Sequence, residues 1–243
     1  LITGDVCEYL HLLCEQFYKK QNPRALNAWE KNFTHALSKI NTHKYVRFRR
    51  NDWLKRKNEI HKSYLEAIIR SESSITLVAS YFLPGNNIRR LLREAAARGV
   101  EIRVIVAGVS DIGSLRLAEN YLHDFYIRHG IRVFEWTDSV MHGKTMIVDR
   151  TWATIGSYNL NFLSHYVSIE LNADVIDPQF VDSFSDHLSY LITHNCRPVD
   201  LKSRAKNNNP VLRFVRWLAY NFYRIMMMLA LRGKKYREKK SKE

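Results

Sequence analysis

The sequence predicts an α/β fold, a layered α-β-α domain with a mainly parallel central sheet. Two observations predict it. From residue 74 onward, apolar strand-length runs alternate with amphipathic helix-length segments, the order that lays strands parallel with helices on both faces. Three further runs, at 141–148, 153–155 and 167–176, then follow with too few residues between them for long helices. They read as additional strands that complete the same sheet.

The elements follow in order. Leu1-Ile2-Thr3 reads as the end of a strand, and Asp5 can cap a helix to about Lys20 with Val6, Leu10, Leu13 and Phe17 on one face. Residues 21–50 are polar and end in a basic cluster, Lys44, Arg47, Arg49 and Arg50, which reads as a linker or surface excursion. A helix is expected from about Asp52 to Ser71, turning Ile60, Tyr64, Ala67 and Ile68 inward. Ser74–Ser80 is an apolar strand broken by Tyr81-Phe82-Leu83-Pro84-Gly85, and a helix rich in Arg and Ala then runs to Arg98, ended by Gly99. Strand 100–107, helix 114–129 and strand 131–136 follow, and a covering helix is expected from Pro178 to about His194. Three parts result: 1–50, the end of a preceding half plus a linker; 51–195, a catalytic half; and 196–243, a basic amphipathic tail.

The stretch 142–159 carries the chemistry. It reads His142-x-Lys144-x4-Asp149-x6-Gly156-Ser157-x-Asn159. His142 and Lys144 are two apart, so on a strand they share a face. The return strand delivers Gly156, Ser157 and Asn159. Along the next strand Ile169, Leu171, Ala173 and Val175 alternate with Ser168, Glu170, Asn172 and Asp174, which sets a carboxylate, Glu170, on the polar face. An imidazole, an ammonium, a hydroxyl and a carboxamide around one point suit a phosphate.

These residues resemble the phospholipase D superfamily, whose motif has the six fixed positions just quoted and whose orienting glutamate corresponds to Glu170. Tyr81-Phe-Leu-Pro-Gly, Ala95-Ala-Ala-Arg-Gly-Val-Glu-Ile-Arg-Val, Gly130-Ile-Arg-Val-Phe-Glu and Ser168-Ile-Glu-Leu-Asn-Ala are similar to the second half of bacterial cardiolipin synthases of the class B type. The similarity spans roughly residues 52–195. Members carry two motifs, and this sequence has one: no other histidine has a lysine two residues on. The resemblance therefore implies either a missing first-motif half or a second copy of the chain.

A phosphodiester repels nucleophiles, so a site must supply cations and donors to its oxygens, a nucleophile and an acid. Lys144, Asn159 and Ser157 can bind the oxygens beside His142. A carboxylate on the other imidazole nitrogen would fix its tautomer. The resemblance implies a phosphohistidine formed on one motif histidine, with the other as general acid and base; His142, from the second motif, takes the latter role. The resemblance counts Asp149 with His142, Lys144 and Glu170 as catalytic. Its strand parity, opposite to His142 and Lys144, argues that it ties down the turn. No cofactor is implied, and no metal-ligand spacing occurs. Three cysteines, Cys7, Cys14 and Cys196, show no disulfide or zinc pattern and suit a reducing compartment.

Of 243 residues, 46% are hydrophobic, ordinary for a globular chain, but the net charge is +14. That balance calls for an anionic partner, a membrane or nucleic acid. In the tail, Asn209 can act as N-cap and Pro210 as first helical residue. Arg213, Arg216 and Arg224 then fall on one stripe of a helix that is otherwise apolar and aromatic, Trp217 included, and a polybasic run with Lys234 and Lys235 follows. The arginines interrupt any span of the about 20 apolar residues that crossing requires. An interfacial helix fits, with arginines toward head groups and apolar residues below. The sequence thus points to a peripheral enzyme on the cytoplasmic face of a bacterial inner membrane. It would act on phosphatidylglycerol or a similar phospholipid and move phosphatidyl groups between alcohols. The alternatives are a single-motif nuclease acting as a homodimer, with nucleic acid as the competing anion, and an inactive half that serves only as a membrane-bound partner.

Overall fold

Residues 7, 10, 11, 14, 45–53, 57–109, 112–166, 168–201 and 209–240 are described in the computed structural model. Residues 7, 10, 11 and 14 are helical; the rest of the helix expected from Asp5, the strand end at Leu1 and the linker up to residue 44 lie outside the described residues.

Among the described residues the strands are β1 (Tyr45–Asp52), β2 (Lys57–Asn58), β3 (Ser74–Ala79), β4 (Glu101–Ala107), β5 (Arg132–Trp136), β6 (Lys144–Val148), β7 (Trp152–Gly156), β8 (Ile169–Ile176) and β9 (Cys196–Val199). The helices are α1 (Glu59–Arg70), α2 (Asn86–Ala97), α3 (Gly113–Arg128), α4 (Phe162–Tyr166), α5 (Pro178–Asn195) and α6 (Pro210–Lys240). All strands join one sheet in the order β2-β1-β8-β7-β6-β3-β4-β5-β9.

The layered α/β fold stands, but the sheet is mixed rather than mainly parallel. Parallel pairing is confined to β3 with β4 and β4 with β5. The other pairs are antiparallel. The cause is in the connections. Only β3–α2–β4–α3–β5 has the helical crossovers that parallel neighbours need, whereas β6 and β7 are joined by a tight turn that forces antiparallel pairing.

The strands are buried on two faces. One layer packs α1 to α3 on Leu77, Val104, Val106 and Met146, with Ile60, Tyr64, Leu92 and Leu122 sealed from solvent. The other packs α5, through Val181 and Leu188, on Val78, Ile105, Ile147, Ala153 and Val175. Each such aliphatic side chain contributes about 1.5–3 kcal/mol on burial. Asp177 caps α5 by accepting from the Phe180 N–H at 3.1 Å, which explains why the helix begins at Pro178 as expected.

Three strands fall where the sequence predicted none, among them the two-residue β2, which pairs with the end of β1. The basic run before Asp52 is β1, paired along its length with β8. Val46 and Phe48 alternate with Arg47 and Arg49, and Arg49 Nε meets Asp174 at 3.0 Å. The counter-charge sits some 125 residues away, so the local pattern reads as a solvated charge run. As a result α1 starts at Glu59, not near Asp52, with the Ile60 N–H held by Asn51 Oδ1 at 3.1 Å. At the other edge β9 pairs with β5. The sheet therefore extends past both limits expected for the central part.

Strand β8 alternates as expected, and its polar residues are buried as well as Val175. Glu170, Asn172 and Asp174 are buried, while Ile169 and Ile176 are exposed. The burial is tolerable because the polar groups find partners. Ser63 Oγ donates to Asp174 at 2.6 Å, and Asn172 donates to Thr154 Oγ1 at 3.1 Å and accepts from the Tyr158 N–H at 3.2 Å.

Candidate active site

The motif lies where the C-terminal end of β3, the start of β6, the end of β7 and the start of β8 come together. Pairing of Ala79 with Lys144 and of Gly156 with Asn172 fixes this meeting. It is the carboxyl end of the parallel strands, where open α/β sheets bind ligands.

Lys144 opens β6 and is buried. Its Nζ donates to the His142 carbonyl at 3.0 Å and reaches Ser80 Oγ at 3.5 Å. Burial pushes its pKa down, and the negative charge of Glu170 opposes that shift. The two are thus electrostatic neighbours. His142 lies in the extended lead-in to β6 with its side chain exposed. Among the described residues its imidazole makes no hydrogen bond, so both ring nitrogens face solvent or an incoming group.

Gly156 is required where it stands. A Cβ there would lie 2.3 Å from Asn172 Oδ1 and 2.3 Å from the Leu171 carbonyl. This close approach brings Ser157 against the start of β8. Its N–H donates to the Leu171 carbonyl at 3.0 Å, its Oγ accepts from the Leu171 N–H at 3.1 Å, and the same Oγ donates to Glu170 in a short bond. The sequence reading had Glu170 orienting His142. Among the described bonds the Glu170 side chain takes the Ser157 hydroxyl, which the β7–β8 register delivers to it. Asn159 follows in a turn where its N–H is held by Ser164 Oγ at 3.2 Å and its carbonyl accepts from the Asn161 N–H at 2.7 Å. Its side-chain Oδ1 is buried and without a partner among the described residues.

Asp149 stands apart. It sits at the far end of β6, five residues from Lys144, or roughly 16 Å at strand rise. Its carboxylate accepts from the N–H groups of Glu72 at 2.9 Å, Ser73 at 2.8 Å and Ser74 at 2.8 Å, and from Ser73 Oγ at 2.8 Å. Burial raises its pKa, but these donors together outweigh burial and hold it below the usual carboxylate range. Asp149 and Arg150 have φ of 52° and 55°, the left-handed conformation that Asp accepts more readily than most residues. Asp149 thus ties the β6–β7 turn to the α1–β3 connection.

The structure adds residues that the sequence did not single out. Tyr158 OH lies 3.3 Å from Nδ1 of both His61 and His165, whose rings are 3.9 Å apart. A hydroxyl has one proton to give, so if both contacts are hydrogen bonds, one imidazole must carry its own on Nδ1. Burial pushes His61 down and Tyr158 well above its ordinary range. This trio lines a cavity of about 210 Å³ with Pro84, Asn86 and Asn161. Glu119 on α3 is the second addition. It accepts from the Phe82 N–H at 2.5 Å, holding the Tyr81–Gly85 loop, and burial pushes its pKa up to about 7. Neither has a sequence signature, since the partners lie far apart in the chain. Among the described residues no group of three or more His, Cys, Asp or Glu is placed to hold a metal ion.

A family profile described as "Cardiolipin synthase, PLD-like domain" matches residues 64–192, more than half of the chain. The chain belongs to that family. Its PLD-like domain is 33% identical to cardiolipin synthase B of Escherichia coli over 144 residues, 59% of this chain and 35% of that protein. It is 30% identical to a probable cardiolipin synthase of Bacillus subtilis over 131 residues, 54% of this chain and 26% of that one. The matched segment thus spans about a third, or less, of these curated relatives. Among solved structures, the fold is similar to the phospholipase D family member Nuc from Salmonella typhimurium, with TM-score 0.55, 20% identity, and coverage of 65% of this chain and 99% of that chain. It is also similar to phosphatidylserine synthase of Haemophilus influenzae, with TM-score 0.59, 16% identity, and coverage of 77% and 47%.

The tail helix is placed as well. Asn209 caps α6, accepting from the Leu212 N–H at 2.7 Å. The helix lies along α3, with Leu212, Arg216, Ala219, Tyr220 and Tyr223 half-buried. Arg213, Arg216, Trp217 and Arg224 line the groove between the two helices. On the side of α6 toward α3, Tyr220 stacks on Tyr121 at 4.8 Å; Arg216 there is half-buried, while Arg213 and Arg224 line the groove and remain exposed. The apolar side, with Val211, Phe214, Leu218, Phe222, Ile225 and Leu229, is exposed. The side chains of Lys234 and Lys235 lie outside the described residues. No helix among the described residues is long and apolar enough to cross a membrane.

Proposed function

We propose that this chain is one motif-bearing half of a phosphatidyltransferase, moving a phosphatidyl group between phospholipid alcohols through a phosphohistidine. The observation that carries the reading is the cluster of Lys144, Ser157 and Glu170 beside the open His142, in a chain of the cardiolipin synthase PLD-like family. Lys144 and Asn159 bind the non-bridging phosphate oxygens. Ser157, tethered to Glu170, turns toward the phosphate when substrate enters. His142 protonates the leaving alcohol and then takes the proton of the incoming one, a role worth about 10² to 10⁴ in rate. The nucleophilic histidine comes from a first-motif half or, in a symmetric pair, from a second copy. The exposed Ile155 and Ile169 beside the site are suited to that contact.

We further place the chain peripherally on the cytoplasmic face of an anionic bacterial membrane, with the apolar side of α6 in the interface and the polybasic end adding about 1 kcal/mol per charge. Phosphatidylglycerol or a similar lipid is then donor and component of the surface.

The test is to mix the 243-residue chain with an upstream half carrying a first motif and assay lipid products from phosphatidylglycerol vesicles. Transfer by the mixture, and none by the chain alone, supports this reading. Full transfer by the chain as a symmetric dimer replaces the missing half with a second copy. The net charge of +14 favours one other reading, a homodimeric phosphodiesterase on nucleic acid. Cleavage of DNA or RNA without lipid transfer would establish it.

A further inference from the structure

The groove between α3 and α6 has a volume of about 870 Å³ and is lined by Arg89, Arg128, Arg213, Arg216 and Arg224, with Asp124 the one carboxylate among its lining residues. Five guanidiniums and one carboxylate around one space leave it net positive, a field that favours an anion. Guanidiniums are the side chains best shaped for phosphate, which they grip two bonds at a time. The space lies within the about 300–1,000 Å³ of small-molecule sites. Its walls are ordered by aromatic contacts. The Arg89 guanidinium lies 5.5 Å from the Tyr220 ring and 6.0 Å from that of Phe125, while Tyr223 OH meets Ser114 Oγ at 2.9 Å. Arg89 Nε is buried and donates to nothing among the described residues.

The groove does not end at the arginines. It shares Arg89, Tyr220 and Arg224 with a narrower slot of about 200 Å³ whose other lining is chiefly apolar, including Leu83, Ile112, Leu115 and Met226. Asn161 and Phe162, just past the motif, line both this slot and the His61–Tyr158–His165 cavity. A cationic mouth leading into an apolar channel matches a phosphate joined to a hydrocarbon chain.

We propose that the α3–α6 groove binds one anionic phospholipid, its phosphate among the arginines and an acyl chain along the slot toward the motif loop. This site is separate from the phosphate position at Lys144. It deepens the membrane reading above and does not require that the chain be a transferase. The exposed apolar side of α6 favours lipid over nucleic acid as the occupant, since it would place the groove mouth at the bilayer surface.

The test is calorimetric titration of the 243-residue chain with dihexanoyl-phosphatidylglycerol below its micelle concentration, beside dihexanoyl-phosphatidylcholine, inorganic phosphate and a short DNA duplex. A saturable phosphatidylglycerol site that depends on the groove arginines is expected beside any binding at Lys144, with phosphatidylcholine and inorganic phosphate at least tenfold weaker there. The pair Arg89→Gln and Arg128→Gln should weaken the anionic lipid at least tenfold. Met226→Asn should weaken the lipid and leave inorganic phosphate unchanged. Circular dichroism checks folding, and if the double variant unfolds, Arg213→Gln alone reads the same effect. Phosphate binding as tight as lipid would make the ligand a free anion and overturn the proposal. DNA binding tighter than lipid and lost in the same variants would overturn it too, as would lipid binding indifferent to them. Vesicle binding that persists while the monomeric lipid fails to bind would remove the groove and leave the membrane reading standing.

Discussion

The two ends of the β6–β7 hairpin belong to one motif and behave oppositely. At one end Asp149 is saturated, its carboxylate accepting from three backbone N–H groups and a hydroxyl. At the other, His142 is exposed and Asn159 Oδ1 lacks a partner among the described residues. A group whose bonding capacity is spent within the protein holds structure. A group left with capacity is available to a substrate. Asp149 and Asn159 therefore divide by bonding state; Lys144 and Ser157 lie between them, each bonded within the protein, and Gly156 is there only for the space it leaves.

That division can be broken by substitution. The largest effect should come from His142→Ala, which is expected to lower the proposed phosphatidyl transfer, assayed with an upstream half supplied, about 10² to 10⁴-fold while leaving thermal unfolding unchanged. A comparable fall in melting temperature would erase the distinction. Asp149→Ala should do the reverse. It strands three backbone donors and should cost on the order of 1–3 kcal/mol, read by denaturant unfolding, with transfer per folded molecule near normal. Because its folded pKa is depressed, the Asp149 contribution is complete above the ordinary aspartate pKa and disappears as pH falls through the lowered one. The gap between variant and parent should therefore close in acid.

Smaller shifts sharpen the comparison. Burial lowers the Lys144 pKa and Glu170 opposes it, so substrate binding should weaken with rising pH below the usual lysine range. Glu170→Gln should move that alkaline limb lower still, measured as the pH dependence of KM. An upward or absent shift would mean that the two charges are not coupled. Last, Glu119 has a raised folded pKa of about 7. Its contribution is complete below the ordinary glutamate pKa and is lost as pH rises through about 7. Glu119→Gln should flatten the fall in stability between about pH 5 and 8, followed by thermal unfolding.

Much of this was legible in the sequence because it is written locally. The β3–α2–β4–α3–β5 alternation, the motif hairpin, the start of α5 at Pro178, the cap at Asn209 and the parity of β8 all follow from residues within a few positions of each other. What escaped depends on distant partners. Strand β1 reads as a charge run until Asp174 answers Arg49. Nor can the sequence show that Ser63, Thr154 and Tyr158 satisfy the buried polar residues of β8. The direction of the α6 arginines was equally hidden, since a helical stripe fixes which residues share a side but not what that side meets. The Ser157–Glu170 bond escaped for a subtler reason: strand parity places the carboxylate correctly, but only the β7–β8 register brings Ser157 to it.

The pairing of β1 with β8 has a consequence in time. Arg49 and Asp174 are separated by 125 positions, and a ribosome adding about 5–20 residues per second needs roughly 6–25 s to make the second after the first. During that interval β1 has only the two-residue β2 beside it, and its arginines discourage pairing with another nascent chain, as charged edge strands do. When β8 emerges, Asp174 meets Arg49 and pairing runs along the whole of β1, before β9 adds the last strand at the other edge.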